Sequence, residues 1–203
     1  MPSNTGTLSE YVDAVSGMNN TFKAGAAGWA VDPALGLPMG GVVRREGQAV
    51  DRLGSLEVTA MAFELGSQRV ILCGVDTLGI QSPEVDVLRD RVVQETGADP
   101  AGILLNWNHT HHAPPGCRSF CGMLGEQDPE PSEDVVAYIE RLHSEVVAVC
   151  REACEALEPA WARWGLGEAD EGINRRQRDA DGKVTKIGWN PDGMFDPSVS
   201  VLQ

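Results

Sequence analysis

The run Asn106-Trp107-Asn108-His109-Thr110-His111-His112-Ala113-Pro114-Pro115-Gly116 gathers three of the chain's four histidines into four positions. Extended backbone sends alternate side chains to one face, so the run predicts His109 and His111 projecting together with Thr110 turned away. The Pro-Pro-Gly turn that follows cannot continue a strand and would leave the pair at its end. Two neutral imidazoles so placed can begin a metal site. Catalytic zinc usually takes three protein ligands and leaves one position for water, and a strand end rarely supplies all three. The competing reading of a histidine is a hydrogen-bonded core or surface residue. It is the paired spacing that favours metal binding or catalysis here. His112 falls on the opposite face, and His143, alone in a helical stretch, reads as structural or solvated.

The elements that must position these residues are visible in the apolar pattern. Ala24–Val31 reads as a strand, followed by a loop rich in glycine and proline from Asp32-Pro33 to Gly41. Leu56–Leu65 and Arg69–Asp76 are apolar runs joined by Gly66-Ser67, the pattern of a hairpin. Ser82-Pro83-Glu84 reads as a helix start, with a capping hydroxyl, proline in the first turn and an acid near the positive end. That helix runs to about Thr96, where Gly97 and Pro100 stop it. Ile103–Asn108 forms the next strand. A longer helix begins at Ser132 and reaches about Leu157, with Val135, Ile139, Leu142, Val146, Val149, Ala153 and Leu157 as its core stripe.

Strand, helix and strand in the order 69–76, 84–96, 103–108 make a βαβ unit, which predicts two parallel strands finishing at one sheet edge. α/β proteins place their sites at that edge. Asp76 and the His109-Thr110-His111 segment end the two strands and so converge. Asp76 could bind metal, orient a histidine from behind, or cap the turn at Thr77; the two metal-centred roles are carried forward. The fold class expected is α/β, a mixed sheet with a βαβ unit flanked by helices. Near the C-terminus, Trp161–Leu166 reads as a strand followed by a glycine- and charge-rich loop, and Ser198–Gln203 alternates like a strand. With no turn or tail after it, this last segment is expected to pair outside the chain, so the domain would be incomplete without a C-terminal continuation or partner.

At 203 residues the chain suits one domain of ordinary size with a real core. A formal charge of −14 disfavours nucleic acid and anionic lipid as partners. No basic run interleaved with aromatics appears. No segment reads as a secretory leader or a bilayer span, so a soluble, cytoplasmic protein is expected. Five cysteines, an odd set, argue against a disulfide framework. Cys150 and Cys154 share a helix face where small apolar side chains pack. Cys117 and Cys121 follow the histidines and offer a structural zinc site as a rival, although their spacing is loose and no second cysteine pair of metal-binding type follows. Residues 1–22 are polar and weakly patterned, with a short helix expected around Leu8–Val15. Asn19-Asn20-Thr21 and Asn108-His109-Thr110 match the glycosylation pattern, which a cytoplasmic protein would not use.

Four segments together resemble the neutral/alkaline, non-lysosomal ceramidase family. They are Leu35-Gly36-Leu37-Pro38-Met39-Gly40-Gly41, Cys73-Gly74-Val75-Asp76-Thr77-Leu78-Gly79, Asn108-His109-Thr110-His111-His112-Ala113-Pro114 and Gly172-Ile173-Asn174-Arg175-Arg176. The resemblance divides the chain into an N-terminal segment, 1–23, and the N-terminal part of a ceramidase-like metallohydrolase domain, 24–203. It implies a zinc-dependent amidase in which His109 binds zinc, His111 lies beside the substrate and developing oxyanion, and Arg175 lines the site. The family's other zinc ligands, a histidine, a glutamate and a tyrosine, come later in its members and find no convincing match before Gln203. His112-Ala113 stands where the family typically carries Ser-Gly, which bears on the pocket.

These readings combine into an expected function: hydrolysis of an amide or related acyl bond in a small soluble substrate. Asp76 and His109 are expected at the metal. His111 would exchange protons or donate to the oxyanion, and Arg175 would grip a carbonyl or carboxylate, with a surface-loop arginine as the competing reading. The remaining ligands would come from a second polypeptide or a cleaved C-terminal fragment, making a two-part enzyme. The non-enzymatic alternative is a binding or regulatory subunit that keeps the fold without metal.

Overall fold

The computed structural model describes residues 22–41, 48–118 and 130–203. The helix expected around Leu8–Val15, the Asn19-Asn20-Thr21 pattern and Cys121 lie outside the described residues. Chain contacts separate two compact units, Met1–Ala160 and Trp161–Gln203.

The first unit is built on a five-stranded sheet of order β4-β3-β2-β1-β5. β1 (Lys23–Ala30), β2 (Glu57–Leu65) and β3 (Gln68–Val75) are antiparallel neighbours, and β5 (Glu158–Pro159) pairs with the start of β1. The β2–β3 turn uses Gly66 at φ 62°, a left-handed conformation that glycine adopts without cost. β4 (Ile103–Trp107) runs parallel to β3, with Ile71 opposite Ile103 and Val75 opposite Trp107. The expected βαβ unit is therefore present, and the sheet is mixed.

Alternation selects one face of this sheet for burial. Val58, Ala60 and Ala62 of β2, Ile71, Cys73 and Val75 of β3, and Ile103 and Leu105 of β4 are buried and join one core. Against that core pack α1 (Glu84–Thr96), through Leu88 and Val92, and α2 (Glu133–Glu155), through Val135, Ile139, Leu142, Val146, Val149 and Ala153. On the other face Met61, Val70 and Leu104 remain exposed. Gly25 lets α2 approach β1 closely: a Cβ there would lie 2.2 Å from the Ala153 carbonyl oxygen.

The helix boundaries follow local chemistry, with one correction. Ser132 starts α2 as expected, its hydroxyl accepting from the Val135 amide at 3.4 Å. Gly97, at φ 66°, ends α1 and returns its N–H to the Val93 carbonyl. Ser82 does not cap α1, whose N-cap position is Pro83; the Ser82 hydroxyl instead donates to the Asp86 carboxylate. Serine side chains bond nearby carboxylates as readily as amides, and a proline ring offers the helix no side-chain acceptor.

The second unit holds two ribbons. β6 (Trp164–Glu168) pairs antiparallel with β9 (Ser198–Leu202), so the terminal strand has one partner inside the chain, a pairing the sequence pattern did not reveal. The glycine- and charge-rich loop contains a further hairpin, β7 (Arg176–Arg178) with β8 (Val184–Ile187), which the sequence pattern did not reveal. Its turn is organised by the Asp179 carboxylate, which accepts from the Asp181 and Lys183 amides at 3.1 and 2.9 Å. A two-stranded ribbon buries too little to stabilise itself.

Two expectations test this packing. Leu142→Ala, at a fully buried position of α2, should cost about 2–5 kcal/mol in urea unfolding. Burial also holds the His143 pKa below its ordinary 6.5, opposed by the Gly116 bond and by Glu84 and Glu140 and assisted by Arg91. The unfolded chain then binds this proton more readily, so stability falls as pH drops below about 6.5. Urea midpoints between about pH 7.5 and about pH 5 should decline less in His143→Gln than in the unaltered protein.

Candidate metal and catalytic site

The site forms where β3 and β4 end. β4 stops at Trp107, one residue earlier than expected, because Asn108 turns the chain. The Asn108 side-chain oxygen accepts from the Thr110 amide at 3.1 Å, and the Thr110 hydroxyl accepts from the His112 amide at 3.2 Å. These are the local bonds with which Asn and Thr compete against extended pairing. His109 consequently takes φ 60°, a left-handed conformation uncommon for a residue with a Cβ. The two rings do meet, with centroids 5.0 Å apart and planes at 78°. The cause is a turn, not the strand alternation on which the pairing was predicted.

Each histidine is held. His109 Nδ1 lies 2.8 Å from the Leu78 carbonyl oxygen. A carbonyl only accepts, so the neutral ring carries its proton on Nδ1 and keeps the Nε2 lone pair for another partner. His111 rests against Gly41, where a Cβ would lie 2.8 Å from the His111 Cγ and 2.9 Å from its Nδ1. Gly41 also sits at φ 85°, so both its conformation and its contact require glycine. The neighbouring Gly40 amide donates to the Ala113 carbonyl at 2.8 Å. The glycine-rich loop, weak as a motif on its own, therefore forms one wall of the histidine pair.

Asp76 arrives at the same edge as expected, and the structure shows what its carboxylate touches. One oxygen accepts from the Glu57 amide at 2.9 Å and the other from the Asn108 side-chain amide at 2.5 Å. Thr77 donates its amide to the Val75 carbonyl, so Asp76 is not its cap. Asp76 ties β2 to the residue before His109, and each oxygen keeps a second lone pair.

Among the described residues no group of three or more His, Cys, Asp or Glu side chains is arranged to hold a metal ion. The donors present therefore fit part of a zinc shell, one imidazole with a fixed tautomer, and not a whole one. His112 is exposed and Cys117 is buried. The hydrogen bond with Cys73, and burial behind it, push the Cys150 pKa up and keep it a thiol.

Arg175 belongs to the second unit, where it is exposed. Its loop is shaped by Asn174, whose side-chain oxygen accepts from the Arg176 amide at 2.9 Å while its NH2 donates to the Met194 carbonyl at 2.9 Å. A separate cavity of about 580 Å³ in the first unit is lined by Leu35, Leu37, Gln48, Tyr138 and Arg141, among others, and by no histidine. Arg141 there is engaged by the Asp32 carbonyl at 2.8 Å and Glu145 at 3.4 Å.

The residues that sequence reasoning missed are those behind the pair. Leu78 contributes only a backbone oxygen, which no residue type advertises. Gly116 is wedged so that a Cβ would fall 2.3 Å from Thr77 Oγ1, and its carbonyl lies 2.9 Å from His143 Nε2. A histidine within an apolar helical stripe was the available signal for the last of these.

No family model and no curated protein matches the chain. Its architecture matches solved structures. Neutral ceramidase from Pseudomonas aeruginosa superposes with a TM-score of 0.65 at 17% identity, over 91% of this chain and 29% of that one. A ceramidase complexed with C2 gives a TM-score of 0.67, again at 17% identity and with 91% and 29% covered. The chain thus spans under a third of the length of these neighbours. At such identity the likeness is one of architecture: the chain has the fold of a segment of neutral ceramidase.

Proposed function

We propose that the chain is one part of a two-part, zinc-dependent hydrolase that cleaves an amide or related acyl bond in a small soluble substrate. The observation that carries this reading is the held tautomer of His109. Its Nδ1 proton is committed to the Leu78 carbonyl, which leaves the Nε2 lone pair for another partner beside a second imidazole. The ceramidase fold supports hydrolysis as the reaction type.

In this reading His109 holds zinc through Nε2, and zinc, when bound, supplies Lewis acidity toward the carbonyl and a lowered pKa for water. His111, edge to face with His109, holds or delivers a proton at the developing oxyanion or the leaving nitrogen. Arg175 offers a planar fork to a substrate carbonyl or carboxylate. Asp76 acts at the metal or, through Asn108, on the backbone that turns into His109.

A second polypeptide or fragment would complete the ligand set. The exposed apolar surface supports this. Every residue of β6 and β9 is exposed, Trp164, Leu166, Val201 and Leu202 among them, and so are Met61, Val70 and Leu104 on the outer face of the main sheet. Within each unit, apolar side chains exposed along a strand are a surface that a partner could cover. The strongly acidic balance favours a small soluble substrate over an anionic bilayer. No helix among the described residues is long and apolar enough to cross a membrane. A binding or regulatory subunit without metal is the alternative, and metal analysis of the natural assembly separates the two.

His109→Ala should abolish zinc stoichiometry and turnover in the assembled protein while unfolding stays cooperative; full zinc content in that variant would reject the assignment. Gly41→Val should displace His111 and strain the loop, lowering kcat by about tenfold or more with zinc content retained. Steady-state kinetics paired with metal analysis reads both.

A further inference from the structure

We infer that His143, on the buried side of α2, is a positioning residue that holds the histidine loop in register from behind. This inference rests on the metal-site reading for its functional meaning, although the geometry stands independently of it. His143 is 9% exposed, and its Nε2 lies 2.9 Å from the Gly116 carbonyl oxygen. The carbonyl only accepts, so the neutral ring carries its proton on Nε2. Burial favours that neutral form.

The bond acts on a segment with little room to move. Ala113, Pro114, Pro115, Gly116 and Cys117 are all buried directly after the histidine pair. Gly116 is pressed against Thr77 and Gly79, the two residues flanking Leu78: a Cβ on Gly116 would lie 2.3 Å from Thr77 Oγ1 and 3.0 Å from the Gly79 carbonyl oxygen. Leu78 in turn carries the carbonyl that fixes His109. A continuous path of contacts therefore runs from His143 through Gly116 and the Thr77–Gly79 strip to the ring that presents its lone pair. Removing the donor leaves a buried carbonyl unpaired, and the segment can recover that bond only by shifting. A shift moves Gly116 off the strip and frees the Leu78 carbonyl to drift from His109.

The test uses the natural assembly, with the polypeptide or fragment that completes the ligand set, metal-free and zinc-titrated. Histidine nitrogen NMR reads the tautomers, and a competitive zinc titration reads the affinity. The unaltered protein should show Nδ1–H at His109 and Nε2–H at His143. His143→Leu removes the donor and should turn the His109 signal into an average of both tautomers and weaken zinc about tenfold. His143→Gln, whose amide nitrogen reaches the same carbonyl, should restore both. If His143→Leu does not fold, His143→Asn, too short to reach Gly116, takes its place with the same expectation.

A folded His143→Leu or His143→Asn protein that keeps the His109 tautomer and the zinc affinity would overturn the inference, as would failure of His143→Gln to restore them. Unaltered protein that binds no zinc rejects the metal reading alone. The tautomer spectra then still decide the role of His143.

Discussion

The site depends on backbone carbonyls that must be paired once they are buried. Leu78, Ala113 and Gly116 each present an oxygen at the strand edge, and each is met by a different element: the His109 ring, the Gly40 amide and the His143 ring. An unpaired carbonyl in such a place costs more than the bond itself gains, so the loop has few alternative arrangements. Its conformation is set by this accounting more than by strand propensity. The left-handed His109 backbone is tolerated because the surrounding bonds over-determine it.

The larger fold supplies the rigid parts. β3 and β4 run parallel and end together, so Asp76 and Asn108 meet across 32 residues of sequence. α2 lies across β1, β2 and β3 with a nearly continuous apolar stripe, and one break in that stripe is His143. A polar group within a core helix is stable only with a partner, and here the partner is the segment that carries the chemistry. Packing and site geometry are coupled through that bond. Glu64, whose carboxyl is held below its usual range by the Arg69 and Lys23 bonds beside it, ties β1 and β3 together at the turn end of the same hairpin, opposite the site.

Much of the architecture was legible because it is written in periodicity. The 3.6-residue stripe of α2, the alternation in β2, and the Gly97 stop signal are local patterns with local causes. The β7–β8 hairpin was not legible, since its strands are short and exposed and carry no apolar alternation. The pairing of β9 with β6 was not legible either: a strand that looks unfinished in sequence can find one partner about 35 residues upstream, and periodicity carries no information on which. Ser82 failed as a cap for a similar reason, because its hydroxyl had a choice of acceptors that the sequence alone does not rank.

The sequence by itself determined which chemistry was available: two imidazoles two residues apart, a carboxylate at the end of an earlier strand, and a glycine-rich loop. It also determined that a βαβ unit would bring carboxylate and imidazoles to one edge, since parallel strands finish on the same side. Tertiary structure alone decided how the rings are presented. The His109 tautomer is set by the carbonyl of Leu78, the seat of His111 by the missing side chain of Gly41, and the position of the loop by a histidine on a distant helix. Backbone oxygens and absent side chains leave no mark in a pattern of residue types, and only folding brings them to the groups they restrain.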